Sequence, residues 1–157
     1  MTPGTLVDDR LSTIALARIA GDLATMPFAR QAVRRGFPRR WYQRIALAPT
    51  YEAWLIGWGE GHELELHDHG DSSGAIAVVT GSLVEQAVDA AGTGLHRRIL
   101  RGGGIHVFDT GHIHHVANEH PEPAVSVHVY SPRLRTMTFY DHRPETFLQP
   151  LRSEESS

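Results

Sequence analysis

The chain has 157 residues, 15 basic and 18 acidic, with a formal net charge of −3 at pH 7 and no cysteine. This composition excludes disulfides and thiolate metal sites. The interspersed charges give no basic stripe for nucleic acid and no polybasic patch for a membrane, and no apolar run approaches the roughly 18 residues of a membrane span. Without a signal-peptide pattern, we expect a cytoplasmic protein, and the length favours one domain, expected to be a monomer.

A helical segment is predicted over residues 5–35, where apolar residues recur at helical spacing. Asp8 and Asp9 favour the start of this helix, because acidic residues stabilise a helix N-terminus. Pro27 interrupts the pattern, and residues 28–33 are predicted to form a second short helix.

From residue 40 onward, short β-branched and aromatic runs alternate with glycine-rich turns. Such a series is typical of an all-β barrel or sandwich. The predicted strands are 41–47, 51–58, 63–68, 75–80, 82–89, 94–100, 104–108, 113–117, 124–130 and 135–140. We expect one domain over residues 1–150 with its barrel at 40–141, followed by a flexible tail at 151–157.

Two histidines separated by one residue, His67 and His69, lie at the end of the third predicted strand. Side chains at positions i and i+2 of a strand project from the same face, so these imidazoles can hold one metal ion together. The third ligand is expected to be His114, because three residues separate it from Asn118. His112 and His115 are the alternatives.

Glycines flank these histidines at defined spacings. The two segments read His67-x-His69, Gly74 and Gly81, then Asp109, Gly111, His114 and Asn118. These spacings resemble the two motif segments of the cupin superfamily, small jelly-roll (double-stranded β-helix) barrels that bind a metal in their mouth. Gly74 stands where that pattern usually has Glu, which leaves three neutral imidazoles and no carboxylate ligand. A divalent ion held in this way favours an anionic ligand atom such as a thiolate.

Residues 124–132 alternate strictly between polar and apolar side chains. Ser126, His128 and Tyr130 share one face of this predicted strand. One interpretation is an edge strand with a solvent-exposed face. The other is a hydrogen-bond relay in which Ser126 supports His128, and His128 orients the Tyr130 hydroxyl.

Tyr42 and Arg44 share one face of the first predicted strand. An inward arginine would offer a two-pronged clamp for a carboxylate, whereas an outward one would be an ordinary surface residue. The residues by themselves favour the surface interpretation.

Together these segments resemble the cysteine dioxygenase family over residues 40–141. The resemblance rests on the runs 58–62, 67–74, 81–85, 113–118 and 123–132. It implies a mononuclear non-haem Fe(II) enzyme with a three-histidine site at His67, His69 and His114. It also implies that Ser126, His128 and Tyr130 form the relay, and that Arg44 with Tyr42 receives the substrate carboxylate.

The chain is most similar to a bacterial-type branch of that family. In mammalian members a cysteine is crosslinked to the relay tyrosine, but Gly74 stands at the matching place here. Mercaptopropionate dioxygenases have Gln at the clamp position, whereas Tyr42-Gln43-Arg44 keeps Arg. The implied reaction is oxidation of L-cysteine by O₂ to cysteine sulfinate. Three alternatives remain: oxidation of another small thiol such as 3-mercaptopropionate, a Zn or Mn isomerase, and a non-catalytic ligand-binding cupin.

Overall fold

The protein is described here by a computed structural model, which covers residues 10–35, 38–143 and 147–156. Short helices precede two antiparallel sheets. The helical elements are α1 (Thr13–Ala24), α2 (Pro27–Gln31) and a 3₁₀ turn (Ala32–Arg34). The strands are β1 (Trp41–Leu47), β2 (Glu52–Trp58), β3 (Glu63–His67), β4 (Ser73–Thr80), β5 (Ser82–Val88), β6 (Leu95–Arg101), β7 (Ile105–Phe108), β8 (His114–Ala117), β9 (Ala124–Ser131), β10 (Thr136–Arg143) and β11 (Phe147–Glu155).

The two sheets face each other across a shared interior. One has five strands in the order β1-β2-β9-β4-β7, and the other has six in the order β11-β10-β3-β8-β5-β6. Neighbours in space are often distant in sequence, as in a jelly-roll barrel. The predicted all-β architecture is confirmed, and every predicted strand lies within a few residues of an observed one.

The first helix begins later than predicted. Ser12 is its N-cap, and its hydroxyl accepts a hydrogen bond from the backbone N–H of Ala15 at 3.1 Å. Residues 10–12 are therefore not helical, and the proposed role of Asp8 and Asp9 lies outside the described residues. No helix in the described part of the chain is long and apolar enough to cross a membrane.

Strand β9 separates two apolar cores. Its outward valines, Val125, Val127 and Val129, are fully buried beneath α1 together with Leu16 and Ala20. Its other face points between the sheets. Since β9 lies between β2 and β4 and all of its residues are buried, the edge-strand interpretation of this segment is wrong.

The chain continues as a strand beyond Pro150. Strand β11 pairs with β10 from Arg143↔Phe147 to Thr136↔Glu155, so the predicted flexible tail is wrong for residues 151–155. The segment is an edge strand with mostly exposed side chains. Its order comes from backbone pairing with β10, which requires no apolar alternation in the sequence.

Candidate metal centre and active site

Three buried imidazoles meet inside the barrel. The antiparallel register of β3 and β8 places His67 directly opposite His114. The Nε2 atom of His69 lies 3.1 Å from Nε2 of His67 and 3.2 Å from Nε2 of His114. The structure therefore brings together the three histidines predicted as ligands, and these atoms could hold one metal ion.

His69 reaches this cluster from a loop. The sequence suggested that His67 and His69 lie on the same face of one strand. Strand β3 ends at His67, however, so the loop after it brings His69 to the cluster. Gly70 takes a positive φ of 58°, which favours glycine. The Asp68 carboxylate anchors the loop to β10, accepting hydrogen bonds from the Thr138 N–H at 3.0 Å and the Tyr140 hydroxyl at 2.7 Å.

Hydrogen bonds fix the rings of His67 and His114. Nδ1 of His67 donates to the Glu65 carbonyl oxygen at 2.6 Å, and Nδ1 of His114 donates to the Glu85 carboxylate at 2.8 Å. Both acceptors require the proton on Nδ1, so both Nε2 atoms carry a lone pair. These two lone pairs face the same point in the interior.

This donor set fits a divalent transition metal. Burial, aided by the charge of His114, lowers the pKa values of His67 and His69 well below the ordinary range, and burial lowers that of His114. The Nε2 lone pairs of His67 and His114 face the same point, and a cation at that point would offset their mutual repulsion. A metal–nitrogen bond of about 2.1 Å places ligand nitrogens about 3.0 Å apart at a right angle and about 3.4 Å apart in a tetrahedron. The observed separations of 3.1 and 3.2 Å lie between these values.

Aromatic rings hold His69 in place. Its ring stacks on Phe108 with centroids 4.6 Å apart and on Tyr130 with centroids 5.3 Å apart. Its Nδ1 atom is buried and has no hydrogen-bond partner among the described residues. Stacking therefore helps to set the plane of this ring, without a hydrogen bond at Nδ1.

A buried carboxylate lies behind the cluster, and the sequence interpretation missed it. Glu85 is 1% exposed and accepts hydrogen bonds from His114, His112 and Arg98. Burial opposes ionisation of Glu85, but these hydrogen bonds together outweigh it and hold the pKa of the carboxyl well below its usual range. The signal available was the alternation Leu83, Glu85, Ala87, which places an acid on the inward face of β5.

The two alternatives to His114 as the third ligand, His112 and His115, have other contacts. His112 lies before β8 and donates from Nε2 to Glu85 at 2.9 Å, so it supports the carboxylate behind His114. His115 points outward and lies 2.9 Å from the carboxylate of Glu63. The preference for His114 therefore agrees with the geometry.

The opposite wall carries the predicted relay. Oγ of Ser126 lies 2.8 Å from Nε2 of His128, and the Tyr130 hydroxyl lies 3.5 Å from Nδ1, at the outer limit of a hydrogen bond. Trp58 donates from its indole N–H to Oγ of Ser126 at 2.9 Å. The structure therefore adds a fully buried tryptophan to the predicted chain.

This chain of groups is uncharged at neutral pH. Burial lowers the pKa of His128 to about 3, and the charges of His114 and Arg40 add to the effect. Burial and the charge of Glu52 raise the pKa of Tyr130. Because Ser126 accepts from Trp58, its hydroxyl proton is available to Nε2 of His128. His128 then carries its own proton on Nδ1, facing Tyr130.

A cavity of about 400 Å³ adjoins the cluster. Tyr130 and Phe139 line it, and their rings pack against His69 and His67. Tyr42, which is 62% exposed, also lines this cavity.

The described structure does not bring Arg44 to this cavity. Arg44 is exposed and lines a separate cavity of about 430 Å³ with Glu52, Arg133 and Arg135. Arg40, to which the sequence interpretation gave no role in the clamp, lines the cavity beside Tyr130 instead.

Gly74 leaves room for the Phe108 ring. Gly74 pairs with Tyr130 on one side and with Phe108 on the other. A Cβ atom at Gly74 would lie 2.3 Å from the Phe108 ring. The glycine therefore allows Phe108 to approach His69.

The sequence of this chain matches a known enzyme family. The family profile for cysteine dioxygenase type I matches residues 37–143. The chain belongs to the cysteine dioxygenase type I family. It is 34% identical over 98 residues to cysteine dioxygenase type 1 of Danio rerio, and that match covers 57% of this chain and 49% of the relative. It is 36% identical over 97 residues to cysteine dioxygenase type 1 of Bos taurus, and that match covers 57% of this chain and 48% of the relative. The chain thus spans about half the length of these curated relatives.

Solved structures show the same cupin fold. A Klebsiella pneumoniae protein with a double-stranded β-helix domain matches with a TM-score of 0.56 and 18% identity, over 69% of this chain and 90% of its own. An oxalate oxidase in complex with a substrate analogue, glycolate, matches with a TM-score of 0.57 and 17% identity. This match covers 74% of this chain and 57% of the oxalate oxidase chain. At such identities the likeness concerns the fold alone, and it agrees with the predicted jelly-roll barrel.

Proposed function

We propose that this protein is an Fe(II)-dependent thiol dioxygenase that oxidises L-cysteine to cysteine sulfinate. Both atoms of O₂ go to the sulfur, and the thiol becomes a sulfinic acid. The observation that carries the proposal is the convergence of three neutral Nε2 donors beside a tyrosine-lined cavity, in a member of the cysteine dioxygenase type I family. The cytoplasmic location and the monomeric state stay predictions.

We propose His67, His69 and His114 as the ligands of the ion. When bound there, ferrous iron would supply sites for the thiolate and for O₂ and would transfer electrons between them. The buried Glu85 would orient His114 and strengthen its donor nitrogen, as carboxylates behind metal-bound histidines commonly do. Since Arg98 pairs with Glu85, the carboxylate adds little net charge. The site keeps its preference for an anionic sulfur.

Tyr130, His128 and Ser126 would position a proton beside the reacting atoms. With His128 neutral, Ser126 and His128 orient the Tyr130 oxygen as an acceptor, and the phenolic proton is left to point into the cavity. The raised pKa of Tyr130 keeps this proton in place at neutral pH. Tyr130 would then donate a hydrogen bond to the substrate or to the developing oxygen anion.

The decisive experiment is oxygen uptake by iron-loaded protein with L-cysteine, cysteamine and 3-mercaptopropionate in parallel, with the products identified. We expect cysteine sulfinate to form in equal amount to the O₂ consumed. Intact iron binding without oxygen uptake on any thiol would contradict the proposal. A preference for 3-mercaptopropionate would change the substrate but keep the reaction.

Tyr130→Phe tests the role of the hydroxyl. We expect kcat to fall about 10- to 100-fold, because a hydrogen bond to a charged group is lost, while iron content stays unchanged. Iron is measured by metal analysis of the purified variant. Parent-like turnover would show that the hydroxyl has no part in the reaction.

A further inference from the structure

Strand β11 places Arg152 in the same cross-strand row as two of the predicted ligands. Arg152 lies opposite Phe139 of β10, and Phe139 lies opposite His67 of β3. His67 in turn lies opposite His114 of β8. Directly paired residues of neighbouring strands project from the same face of a sheet. Arg152 therefore lies on the inward face of the six-stranded sheet, where it lines the cavity beside the histidine cluster together with Phe139.

Two glutamates and one ring surround the guanidinium of Arg152. Its two terminal nitrogens donate to the two carboxylate oxygens of Glu65 at 3.2 and 3.4 Å. Its Nε donates to the carboxylate of Glu154 at 3.2 Å. The guanidinium carbon lies 4.2 Å from the centre of the Phe139 ring. Arg152 thus connects β11 with β3 across the strand between them, over the Phe139 ring.

Both the ring and one of the glutamates in contact with Arg152 also contact His67. The carbonyl oxygen of Glu65 accepts the hydrogen bond from Nδ1 of His67 at 2.6 Å. The centre of the Phe139 ring lies 5.8 Å from the centre of the His67 ring. A change at Arg152 therefore reaches His67 by two routes, through the backbone of residue 65 and through the Phe139 ring.

The stability of the fold does not account for this bridge. The side chains of Arg152 and Glu65 are 43% and 56% exposed, and ion pairs exposed to this degree contribute little to the free energy of unfolding. Such a pair can still fix the geometry of the groups that it joins. A planar guanidinium that donates to both oxygens of one carboxylate has a single favoured orientation.

We propose that Arg152 is a positioning residue, which holds Glu65 and Phe139 so that Nε2 of His67 stays directed at the metal. The assignment rests on the proposed ligand role of His67. It makes the last strand of the chain a part of the metal centre. Glu85 supports His114 instead, so the two ligands should respond differently when Arg152 is changed.

The test compares Arg152→Gln with Arg143→Gln in the metal-free full chain. Arg143 is the matched control, because it is an exposed arginine of β10 that pairs with Asp141 of the same strand. NMR of isotope-labelled protein measures how fast the Nδ1 protons of His67 and His114 exchange with water. In Arg152→Gln we expect the His67 proton to exchange about two- to tenfold faster, because losing the ion pair and the ring contact favours local opening.

The remaining rates serve as controls. The His114 proton should exchange at the parental rate in Arg152→Gln, and both protons should do so in Arg143→Gln. Arg152→Lys keeps the charge but loses the planar fork, so its rate for the His67 proton should lie between those of the parent and Arg152→Gln.

Metal affinity is the second measurement, made by anaerobic chelator competition with Fe(II). Arg152→Gln should bind the ion about two- to tenfold more weakly, because His67 must then be ordered during binding. Glu65→Gln keeps the backbone carbonyl that accepts from His67 but breaks the same ion pair, and should cause a similar loss. The double variant should therefore lose little more than either single variant. Additive losses would contradict the bridge, because they would show that the two residues act separately.

Equal acceleration of both protons in Arg152→Gln would overturn the proposal, because it would show a general loss of stability. An unchanged rate for the His67 proton would do the same. If Arg152→Gln does not fold, as judged by circular dichroism, Arg152→Lys decides by the same ratio of the two exchange rates. If the parent binds no divalent metal, the proposed function fails separately. The exchange rates are measured without metal and still decide the role of Arg152.

Discussion

The two walls of the barrel hold the three imidazoles in different ways. From the six-stranded sheet, His67 and His114 donate to the Glu65 carbonyl and the Glu85 carboxylate. From the five-stranded sheet, Phe108 and Tyr130 enclose the ring of His69, whose Nδ1 has no partner among the described residues. One wall thus uses charge and hydrogen bonds, and the other uses aromatic surfaces.

The difference bears on what each support controls. A hydrogen bond to Nδ1 fixes both the rotation of the ring and the position of its proton. Stacking fixes the plane of the ring and leaves the proton position undetermined. We therefore expect the two walls to respond differently when a supporting residue is changed.

Removing the carboxylate of the six-stranded wall should have the largest effect. In Glu85→Ala, three donors lose their acceptor, so we expect the free energy of unfolding of the metal-free protein to fall by about 3 to 4 kcal/mol. Metal affinity should fall about 10- to 100-fold. Urea denaturation and chelator competition measure the two quantities. Glu85→Gln keeps the shape and one acceptor oxygen, and should be less destabilised. Equal metal affinity in all three proteins would show that Glu85 does not support His114.

Removing the ring of the five-stranded wall should have the next largest effect. We expect Phe108→Ala to lower the free energy of unfolding by about 3 kcal/mol, because Phe108 is buried. We expect metal affinity to fall about threefold to tenfold, because the stacking surface of His69 is lost. Phe108→Leu is the matched control that keeps apolar volume without a flat ring. If Phe108→Leu binds metal as tightly as the parent, stacking does not orient His69.

Crowding of the same ring is the third test. Gly74→Ala places a Cβ atom 2.3 Å from the Phe108 ring, and we expect a loss of about 1 to 3 kcal/mol in the free energy of unfolding. The loss should be smaller when Gly74→Ala is made in Phe108→Leu, because the smaller side chain leaves space. A double-mutant cycle by urea denaturation measures this coupling. Simple additivity would contradict direct packing of the two positions.

The smallest effect at neutral pH should come from the ionisation of His128, which changes the stability only when the pH falls. His128 has a pKa of about 3 in the folded protein, against about 6.5 when unfolded. Between these values the unfolded chain binds a proton that the folded chain does not. The free energy of unfolding is therefore unaffected by the ionisation of His128 above pH 6.5, and it decreases as the pH falls from 6.5 toward 3. In the metal-free protein, the free energy of unfolding is measured by urea denaturation at several pH values. His128→Gln should reduce its slope against pH between pH 6 and 4 by about 1.4 kcal/mol per pH unit. An unchanged slope would show that His128 is protonated in the folded state.

Local patterns identified several side chains that the structure brings together. The spacing of His67, His69 and His114 identified three side chains that meet in the structure, and strict alternation placed Ser126 and His128 on one face. The prediction of the relay depends on strand alternation, whereas that of the histidines depends on the spacing of two motif segments, because His69 lies in the loop after β3. The predicted carboxylate clamp of Arg44 and Tyr42 was different, because the position of an arginine side chain depends on where the neighbouring rings lie. Arg40 and Arg44 lie four residues apart on one chain segment, but the structure places Arg40 beside Trp58 and Arg44 beside Trp54, in two different cavities.

The sequence by itself determined the all-β architecture, the positions of β1 to β10 to within a few residues, and the choice of three histidines that converge in the structure. The strands follow from periodicities of a few residues that each segment carries alone, and the histidines were chosen from the spacing of the motif segments. Only the tertiary structure decided that Glu85 supports His114, that Phe108 encloses His69 and that β11 completes the six-stranded sheet. Those contacts join residues far apart in the chain, and strand pairing and side-chain packing fix them.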